Sequence, residues 1–190
     1  MDASELLKRY AAGERDFSKA YLNDAYLSHS DLSSADFSQA SLSRVGLSSA
    51  NLNHTNLNQA YLTHANLVGT NLSHANLHQA NLSSAHLSYA NLNQADLSQT
   101  NLSYADLNHA DLSHANLSYA NLSRVYLSHA NLSGADLSHA DLSRADFSHA
   151  NLTGVDLSQA IIQDAQFRDN SGISASLQQE LIQRGAIFDD

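Results

Sequence analysis

Large hydrophobic residues recur at every fifth position from Phe17 to Phe167, and the register never slips along this stretch. Of the 31 positions in the series, 26 are Leu, four are Phe and one is Ile162. We call each of these residues the centre of its unit. From the second unit onward, a small residue, usually Ala, stands two positions before the centre. One five-residue unit is therefore repeated over residues 15–169.

A period of five residues fits neither of the regular secondary structures. On an α-helix, residues five apart are rotated by roughly 140°, so the centres would form no apolar face. In a straight strand, an odd period sends successive centres to opposite sides. The pattern becomes coherent if the chain turns a corner in every unit, so that all centres point to one axis. It therefore predicts a solenoid, in which each turn is stabilised by the turns that cover it.

Units such as Ala-Asn-Leu-Ser-His and Ala-Asp-Leu-Ser-Gln resemble the pentapeptide-repeat proteins. The resemblance covers 155 of the 190 residues. It implies an all-β solenoid, a right-handed quadrilateral β-helix with four units in each coil. The run from Glu5 to Phe17 is also similar to the starts of cyanobacterial members, many of which have no assigned activity. A coil of twenty residues is supported by five Gln two residues after a centre that share one column: Gln39, Gln59, Gln79, Gln99 and Gln159.

Residues 1–14 stand outside the repeat and are predicted to form an N-terminal capping helix. Asp2 followed by Glu5 is typical of a helix start, and Gly13 is typical of a helix end. The apolar stripe of this helix is expected to consist of Leu6, Leu7 and Tyr10. Its role would be to cover the apolar end of the first coil.

Residues 170–190 are predicted to form a C-terminal loop and a second capping helix. Ser176 with Gln179 indicates the start of this helix, and Gly185 indicates its end. One face of the helix is expected to carry Leu177, Leu181 and Ile182, and residues 186–188 are expected to fold back as a last apolar patch. Caps at both ends would block strand pairing between molecules.

Composition excludes several classes of protein. The chain contains no Cys, so neither disulfides nor thiolate metal sites can form. No apolar run reaches the length of a membrane span, and the start of the sequence does not indicate secretion. We therefore expect a cytoplasmic protein that does not bind membranes. The net charge of −10 argues against nucleic acid as a direct ligand.

Histidine is concentrated two residues after the centres, where side chains are expected to be exposed. Nine of the eleven histidines occupy this position: His29, His54, His64, His74, His109, His114, His129, His139 and His149. Four units per coil would place His109, His129 and His149 in one column and His54, His74 and His114 in another, about 4.8 Å apart between neighbouring coils. These columns can be interpreted as metal ligands, as a response to pH, or as residues that tolerate an exposed corner.

The third interpretation is favoured, because no acidic ligand or closed tetrahedral set recurs with the histidines. We therefore expect no metal site, and stabilisation of the fold by zinc would contradict this expectation. Catalytic residues and cofactors are not expected either. Ser, His and Asp are so abundant that triad-like spacings occur by chance, and a solid rod offers no obvious cleft. The protein is predicted not to be an enzyme.

The preferred function is that of a rigid scaffold that binds a protein partner, whose identity the sequence does not indicate. Tyr and Arg are favoured at the centres of protein contacts, and the region that contains Tyr126 is rich in both. The expected interaction surface consists of Tyr89, Tyr104, Tyr119, Arg124, Arg144, His109, His129 and His149. We expect a monomer, with a dimer as the alternative.

The family resemblance also implies a different function, mimicry of duplex DNA by proteins that act on DNA gyrase or topoisomerase. Five acids share one column: Asp16, Asp36, Asp96, Asp136 and Asp156. From Ala20 to Ala165, however, eleven acids stand against three Arg, a net charge of −8. A DNA duplex of about 35 Å, the expected length of the rod, carries about 20 charges. Mimicry of DNA is therefore kept as the alternative to the scaffold function. Two further alternatives are ice binding by a Ser-rich face and a recently expanded or engineered repeat without a selected ligand.

Overall fold

A computed structural model describes residues 1–188, so the last two residues of the predicted segment 170–190 lie outside the described part of the chain. From Asp16 to Asn151, the residue before each centre forms a parallel bridge to the residue twenty positions later, as in Asp16 to Asp36 and Tyr21 to Ser41. One coil therefore contains twenty residues and four units, as the sequence predicted. The protein is a right-handed quadrilateral β-helix. Each β-strand in its described residues is a single bridging residue.

The unit around Phe37 satisfies all five of its backbone N–H groups. Three of them pair with neighbouring coils: the N–H groups of Asp36, Phe37 and Gln39 donate to carbonyls at 2.7–2.8 Å. The fourth closes the corner, since the Ala40 N–H donates to the Phe37 carbonyl at 3.0 Å. The fifth, that of Ser38, donates to the Asp36 carboxylate at 2.8 Å. An unpaired N–H group is costly, so Asp or Asn before the centre completes the corner.

Where the residue before the centre cannot accept this hydrogen bond, an Asn of the preceding coil can replace it. In the unit that contains Ser41, the Ser43 N–H donates to the Asn23 side chain at 2.9 Å. In the unit that contains Tyr126, the Ser128 N–H donates to the Asn108 side chain at 2.9 Å. These substitutes allow other residues to occupy the outer face of the tube.

The axis of the tube is filled by the centres and by the small residues before them. Most of these side chains are no more than 2% exposed. Phenylalanines stack near the two ends, with ring centroids 5.6 Å apart for Phe17 and Phe37 and 5.0 Å apart for Phe147 and Phe167. The prediction that all centres point to one axis and form a continuous apolar core is confirmed.

Helix α1 spans Ala3–Ala11 and covers the first coil. The Asp2 carboxylate accepts the Glu5 N–H at 2.8 Å, as predicted for the helix start. Leu6 is fully buried, and the Tyr10 hydroxyl donates to the Ser33 carbonyl at 2.9 Å. The prediction that Leu7 belongs to the same apolar stripe is wrong, since Leu7 lies on the outer side of the helix and is 37% exposed.

Helix α2 spans Ala175–Gln183 at the other end. The predicted start at Ser176 is wrong, because the hydroxyl that accepts the Leu177 N–H belongs to Ser174. Leu181 is buried, whereas Ile182 points away from the core and does not share its apolar contact. The helix is short and therefore buries only a narrow stripe against the last coil.

The segment after α2 returns to the tube and extends it. Ile187 bridges to Gln166, and the Phe188 ring stacks on Phe167 with centroids 5.2 Å apart. The Arg184 guanidinium donates to the carbonyls of Leu157 and Ala160 at 3.1 and 2.7 Å. The Ala160 carbonyl is an acceptor that a further coil would otherwise pair, whereas the Leu157 carbonyl also accepts the Ala160 N–H at 3.3 Å. Among residues 1–188, no helix has the length and apolar character needed to cross a membrane.

Candidate interaction surface

The second residue after a centre has left-handed backbone angles and projects from a corner of the tube. Corner residues twenty apart form four columns, and segments of three of these columns concern the predicted surface. The segment that we call the glutamine corner consists of Gln39, Gln59, Gln79, Gln99, Tyr119 and His139. The arginine corner consists of Tyr104, Arg124, Arg144 and Asp164, and the histidine corner consists of Tyr89, His109, His129, His149 and Asp169. The arginine and histidine corners follow one another along the chain and therefore flank one side of the tube.

We call this side, with its two corners and the bridging residues Asp106, Tyr126 and Asp146, the mixed face. Its tyrosines are well exposed, at 64% for Tyr89, 51% for Tyr104 and 52% for Tyr126. Aromatic rings, guanidinium groups and imidazoles thus alternate with carboxylates over about four coils. Such a surface offers flat apolar area beside groups that form directed hydrogen bonds.

The histidine corner is a continuous stack of parallel rings. Ring centroids are 4.8 Å apart for Tyr89 and His109, 4.9 Å for His109 and His129, and 4.7 Å for His129 and His149. The planes are within 9° of parallel. At the end of the stack, the His149 Nδ1 atom lies 3.7 Å from the Asp169 carboxylate. The stack therefore ends beside a carboxylate.

The arginine corner holds two guanidinium groups in successive coils. Arg124 donates to the Tyr104 hydroxyl at 2.6 Å, and its guanidinium carbon lies 5.2 Å from the centroid of the same ring. Arg144 Nε lies 3.5 Å from the Asp164 carboxylate. Both side chains are held by neighbours in their own column. Their charges therefore have defined positions at the edge of the mixed face.

The fold brings together seven of the eight residues predicted for the interaction surface. The exception is Tyr119, which lies on the glutamine corner and stacks on His139 with centroids 4.6 Å apart. The sequence reasoning missed Asp164 and Asp169, which end the two corners of the mixed face. Extending the period of twenty beyond the last regular unit would have found both.

The stacked imidazoles are not arranged to share a metal ion. Neighbouring rings in the histidine corner are parallel, with centroids 4.7–4.9 Å apart, and His54 and His74 form a similar pair at 4.8 Å. Two nitrogens bound to one zinc ion at about 2.0–2.1 Å can be at most about 4.2 Å apart. In the described part of the chain, no group of three or more His, Cys, Asp or Glu is placed to hold a metal ion. The absence of a metal site stays a prediction.

The carboxylates outside the mixed face mostly accept hydrogen bonds that complete the corners. Backbone N–H donation from Ser33 lowers the pKa of Asp31, and donation from Ser158 lowers that of Asp156. The pKa of Asp16 is lowered chiefly by its side-chain hydrogen bond with Ser18. The acidic column named above is two sides away along the coil and therefore lies opposite the mixed face. The tube thus carries a column of five aspartates on one side and the exposed Tyr, Arg and His side chains of the mixed face on the other.

A family model described as pentapeptide repeats matches the chain in eight copies, over residues 16–48, 40–79, 80–118, 120–159 and 150–179. Among solved structures, HetL, a pentapeptide repeat protein involved in heterocyst differentiation regulation in the cyanobacterium Nostoc sp. strain PCC 7120, is 36% identical. The match covers 87% of this chain and 94% of HetL, with a TM-score of 0.51. No curated protein sequence is significantly similar to the chain.

Two further solved structures are more distant. A trypsin-treated form of QnrB1, a plasmid-mediated fluoroquinolone resistance protein, is 19% identical with a TM-score of 0.47, over 92% of this chain and 87% of that one. Rfr23, a pentapeptide repeat protein from the cyanobacterium Cyanothece 51142, is 24% identical with a TM-score of 0.24, over 88% and 98% of the two chains. Likenesses this remote carry no information on what the present chain binds.

Proposed function

Because this chain belongs to the pentapeptide-repeat family, we propose that it is a non-enzymatic scaffold whose mixed face binds a protein partner. The observation that carries the proposal is the convergence of seven exposed Tyr, Arg and His side chains on the two edges of one side of the tube. Tyr and Arg are the residues most favoured at the centres of protein contacts. The rigid core beneath them keeps their spacing constant, so little ordering is needed on binding.

The mixed face carries charges of both signs, with two guanidinium groups beside the carboxylates of Asp106, Asp146, Asp164 and Asp169. It therefore favours a partner that presents aromatic and complementary charged side chains. Arg124 and Arg144 lie one coil apart, and a carboxylate from a partner placed between them would reduce the repulsion of the two guanidinium groups. Arg44 is different, because both oxygens of Asp24 accept its hydrogen bonds, at 2.7 and 2.8 Å.

The likeness to HetL favours a regulatory role over a metabolic one. HetL is described as involved in the regulation of heterocyst differentiation, and the match extends over nearly the whole of that protein. A rod without catalytic machinery would act in regulation by holding or sequestering another protein. The proposal for this chain is therefore a binding role in which affinity, rather than turnover, is the property that matters.

The test is capture of partners from a bacterial lysate at low and high salt, followed by mass spectrometry. The baits are the wild-type protein, the double variant Arg124→Gln/Arg144→Gln and the control Arg44→Gln, which lies in the same column but outside the mixed face. We expect one partner to be retained by the wild type and the control, lost by the double variant and weakened at high salt. A partner that binds the double variant equally well would contradict the assignment of the face. No saturable partner at low salt would contradict the scaffold itself.

One observation favours the DNA mimic as a second candidate function, namely that five aspartates share one side of the tube. Asn occupies the remaining positions of that column at residues 56, 76 and 116. The triple variant Asp96→Asn/Asp136→Asn/Asp156→Asn keeps the side-chain oxygens that complete the corners and removes three charges. If the protein is a DNA mimic, it alters supercoiling by gyrase and the variant does not. An excess of wild-type protein without effect on supercoiling would exclude this function.

A further inference from the structure

Tyr21 and Tyr61 project from the same side of the tube with one small residue between them. Tyr21 bridges to Ser41, and Ser41 bridges to Tyr61, so the two tyrosines are two coils apart in one column. They are 78% and 55% exposed. The space between them is a notch of about 410 Å³, lined by Lys19, Tyr21, Gln39, Ser41, Gln59 and Tyr61. Ser41 is the floor, and the two tyrosines are the opposite walls.

The dimensions of the notch match one aromatic ring. Two coils separate the anchors of the walls by about 9.6 Å, so a ring midway would lie about 4.8 Å from each tyrosine. Aromatic pairs are favourable at centroid distances of about 4.5–7 Å. The molecule itself uses this spacing, since rings in neighbouring coils stack at 4.6–4.9 Å on the corners. Ser41 thus leaves one ring position of an aromatic column unfilled.

Three other tyrosines of the tube already have one ring face covered. Tyr89 stacks on His109, Tyr119 stacks on His139, and the Arg124 guanidinium lies over Tyr104. Within residues 1–188, neither Tyr21 nor Tyr61 has an aromatic ring or guanidinium group stacked on it. A ligand ring can therefore reach both without displacing an internal contact.

The polar side of the notch determines the charge of the ligand. Gln39 donates to Gln59 at 3.2 Å, and Gln59 donates in turn to Gln79 at 2.9 Å, so these two amides are oriented along the corner that borders the notch. The charged group of the lining is the Lys19 ammonium. We propose that the notch binds a small planar aromatic anion, with its ring between Tyr21 and Tyr61 and its acidic group towards Lys19.

The test uses indole-3-acetate as the probe and ligand-observed NMR as the measurement. Cyclohexylacetate has the same charge without an aromatic ring, and indole-3-acetamide has the same ring without the charge. We expect saturable binding of indole-3-acetate and weaker binding of both analogues. Equal binding of cyclohexylacetate, or no binding of indole-3-acetate at concentrations up to about 10 mM, would overturn the proposal.

Variants of the full chain locate the site. Ser41→Tyr fills the notch with an internal ring and should abolish binding, and Tyr61→Ser removes one wall and should weaken binding by at least about fivefold, the lower end of what a stacked ring contributes. Lys19→Gln should weaken the binding of indole-3-acetate but not that of indole-3-acetamide. The control Tyr126→Ser removes a tyrosine from another side and should leave affinity unchanged. Undiminished binding by a folded Ser41→Tyr or Tyr61→Ser variant would place the probe elsewhere and refute the proposal.

Discussion

The glutamine and histidine corners have the same backbone conformation but different contacts between their side chains. Gln39, Gln59 and Gln79 have φ angles of 57–58°, and His109, His129 and His149 have φ angles of 60–61°. The glutamines form a ladder of amide hydrogen bonds at 3.2, 2.9 and 2.8 Å. The histidines stack ring on ring instead. The comparison shows that the corner requires a residue that tolerates left-handed angles, while the side chain decides what the column does.

The difference between the two corners concerns the contact between neighbouring side chains. An amide hydrogen bond contributes about 0.5–1.5 kcal/mol net, and a pair of stacked rings contributes a similar amount. The two corners should therefore stabilise the stack of coils about equally by different contacts. The following predictions test this comparison, beginning with the support that both corners share.

Truncation of the core should weaken both corners equally. Leu97→Ala removes the centre before Gln99, and Leu107→Ala removes the centre before His109; both side chains are fully buried. We expect each variant to lose about 2–5 kcal/mol of unfolding free energy, because a cavity remains in a closely packed axis. Urea unfolding followed by circular dichroism measures the loss. Leu7→Ala, on the outside of α1, is the control with little effect, and clearly unequal losses for the two centres would show that the corners contribute to packing.

Removal of the side chain that accepts the hydrogen bond at a corner should reduce the unfolding free energy by less than truncation of the core. The Asp106 carboxylate accepts the Asn108 N–H at 3.0 Å before the histidine corner, and the Asn56 side chain accepts the Asn58 N–H at 3.2 Å before the glutamine corner. Asp106→Ala and Asn56→Ala should each lose about 1–2 kcal/mol, because a backbone N–H is left unpaired. Asp106→Asn keeps an acceptor and should be nearly neutral. A similar loss for Asp106→Asn would instead indicate that the charge of Asp106 matters.

Exchange of one corner chemistry for the other should change stability only slightly. The triple variant His109→Gln/His129→Gln/His149→Gln converts the histidine stack into an amide ladder. We expect a change in unfolding free energy of less than about 1 kcal/mol, because a pair of stacked rings and a net hydrogen bond contribute about the same amount, 0.5–1.5 kcal/mol. Urea unfolding at neutral pH measures the difference, and a loss greater than about 2 kcal/mol would show that the amide ladder cannot replace the stack.

The carboxylates of the corners should respond at lower pH. Hydrogen bonds lower the pKa of Asp31 and Asp156 in the folded protein. Because the folded pKa is depressed, these groups stabilise the fold above their ordinary pKa near 3.8, and this contribution disappears as the pH falls through the lower folded value. Asp31→Asn/Asp156→Asn should therefore flatten the stability curve below about pH 4 and leave the range from pH 5 to pH 7 unchanged. A changed slope near pH 6 would mean that these carboxylates interact with histidines.

The sequence alone was enough to determine the repeating unit, the buried side chains and the columns. Each unit repeats the same local structure, in which a Leu is buried and an Asp or Asn completes the hydrogen bonds of the corner. The sequence of a single unit is therefore enough to predict which of its side chains are buried and which are exposed. The start of α1 at Asp2 was also predictable, because a helix cap depends on neighbouring residues. The predictions failed at Leu7 and Ile182, since the orientation of a short helix is set by the coil beneath it. The prediction at Ser176 failed for a different reason, because Ser174 offers the same kind of capping hydroxyl two residues earlier and the helix begins there.

Only the tertiary structure decided which distant residues share a surface. Tyr104, Arg124 and Arg144 face the histidine corner across one side of the tube, whereas Tyr119 belongs to the next corner, because each side collects residues from different coils. The same stacking leaves Ser41 between Tyr21 and Tyr61 and so creates a notch that no unit contains. A five-residue pattern determines the cross-section of the tube. The surface chemistry arises from residues twenty positions apart, which only the closed coil brings together.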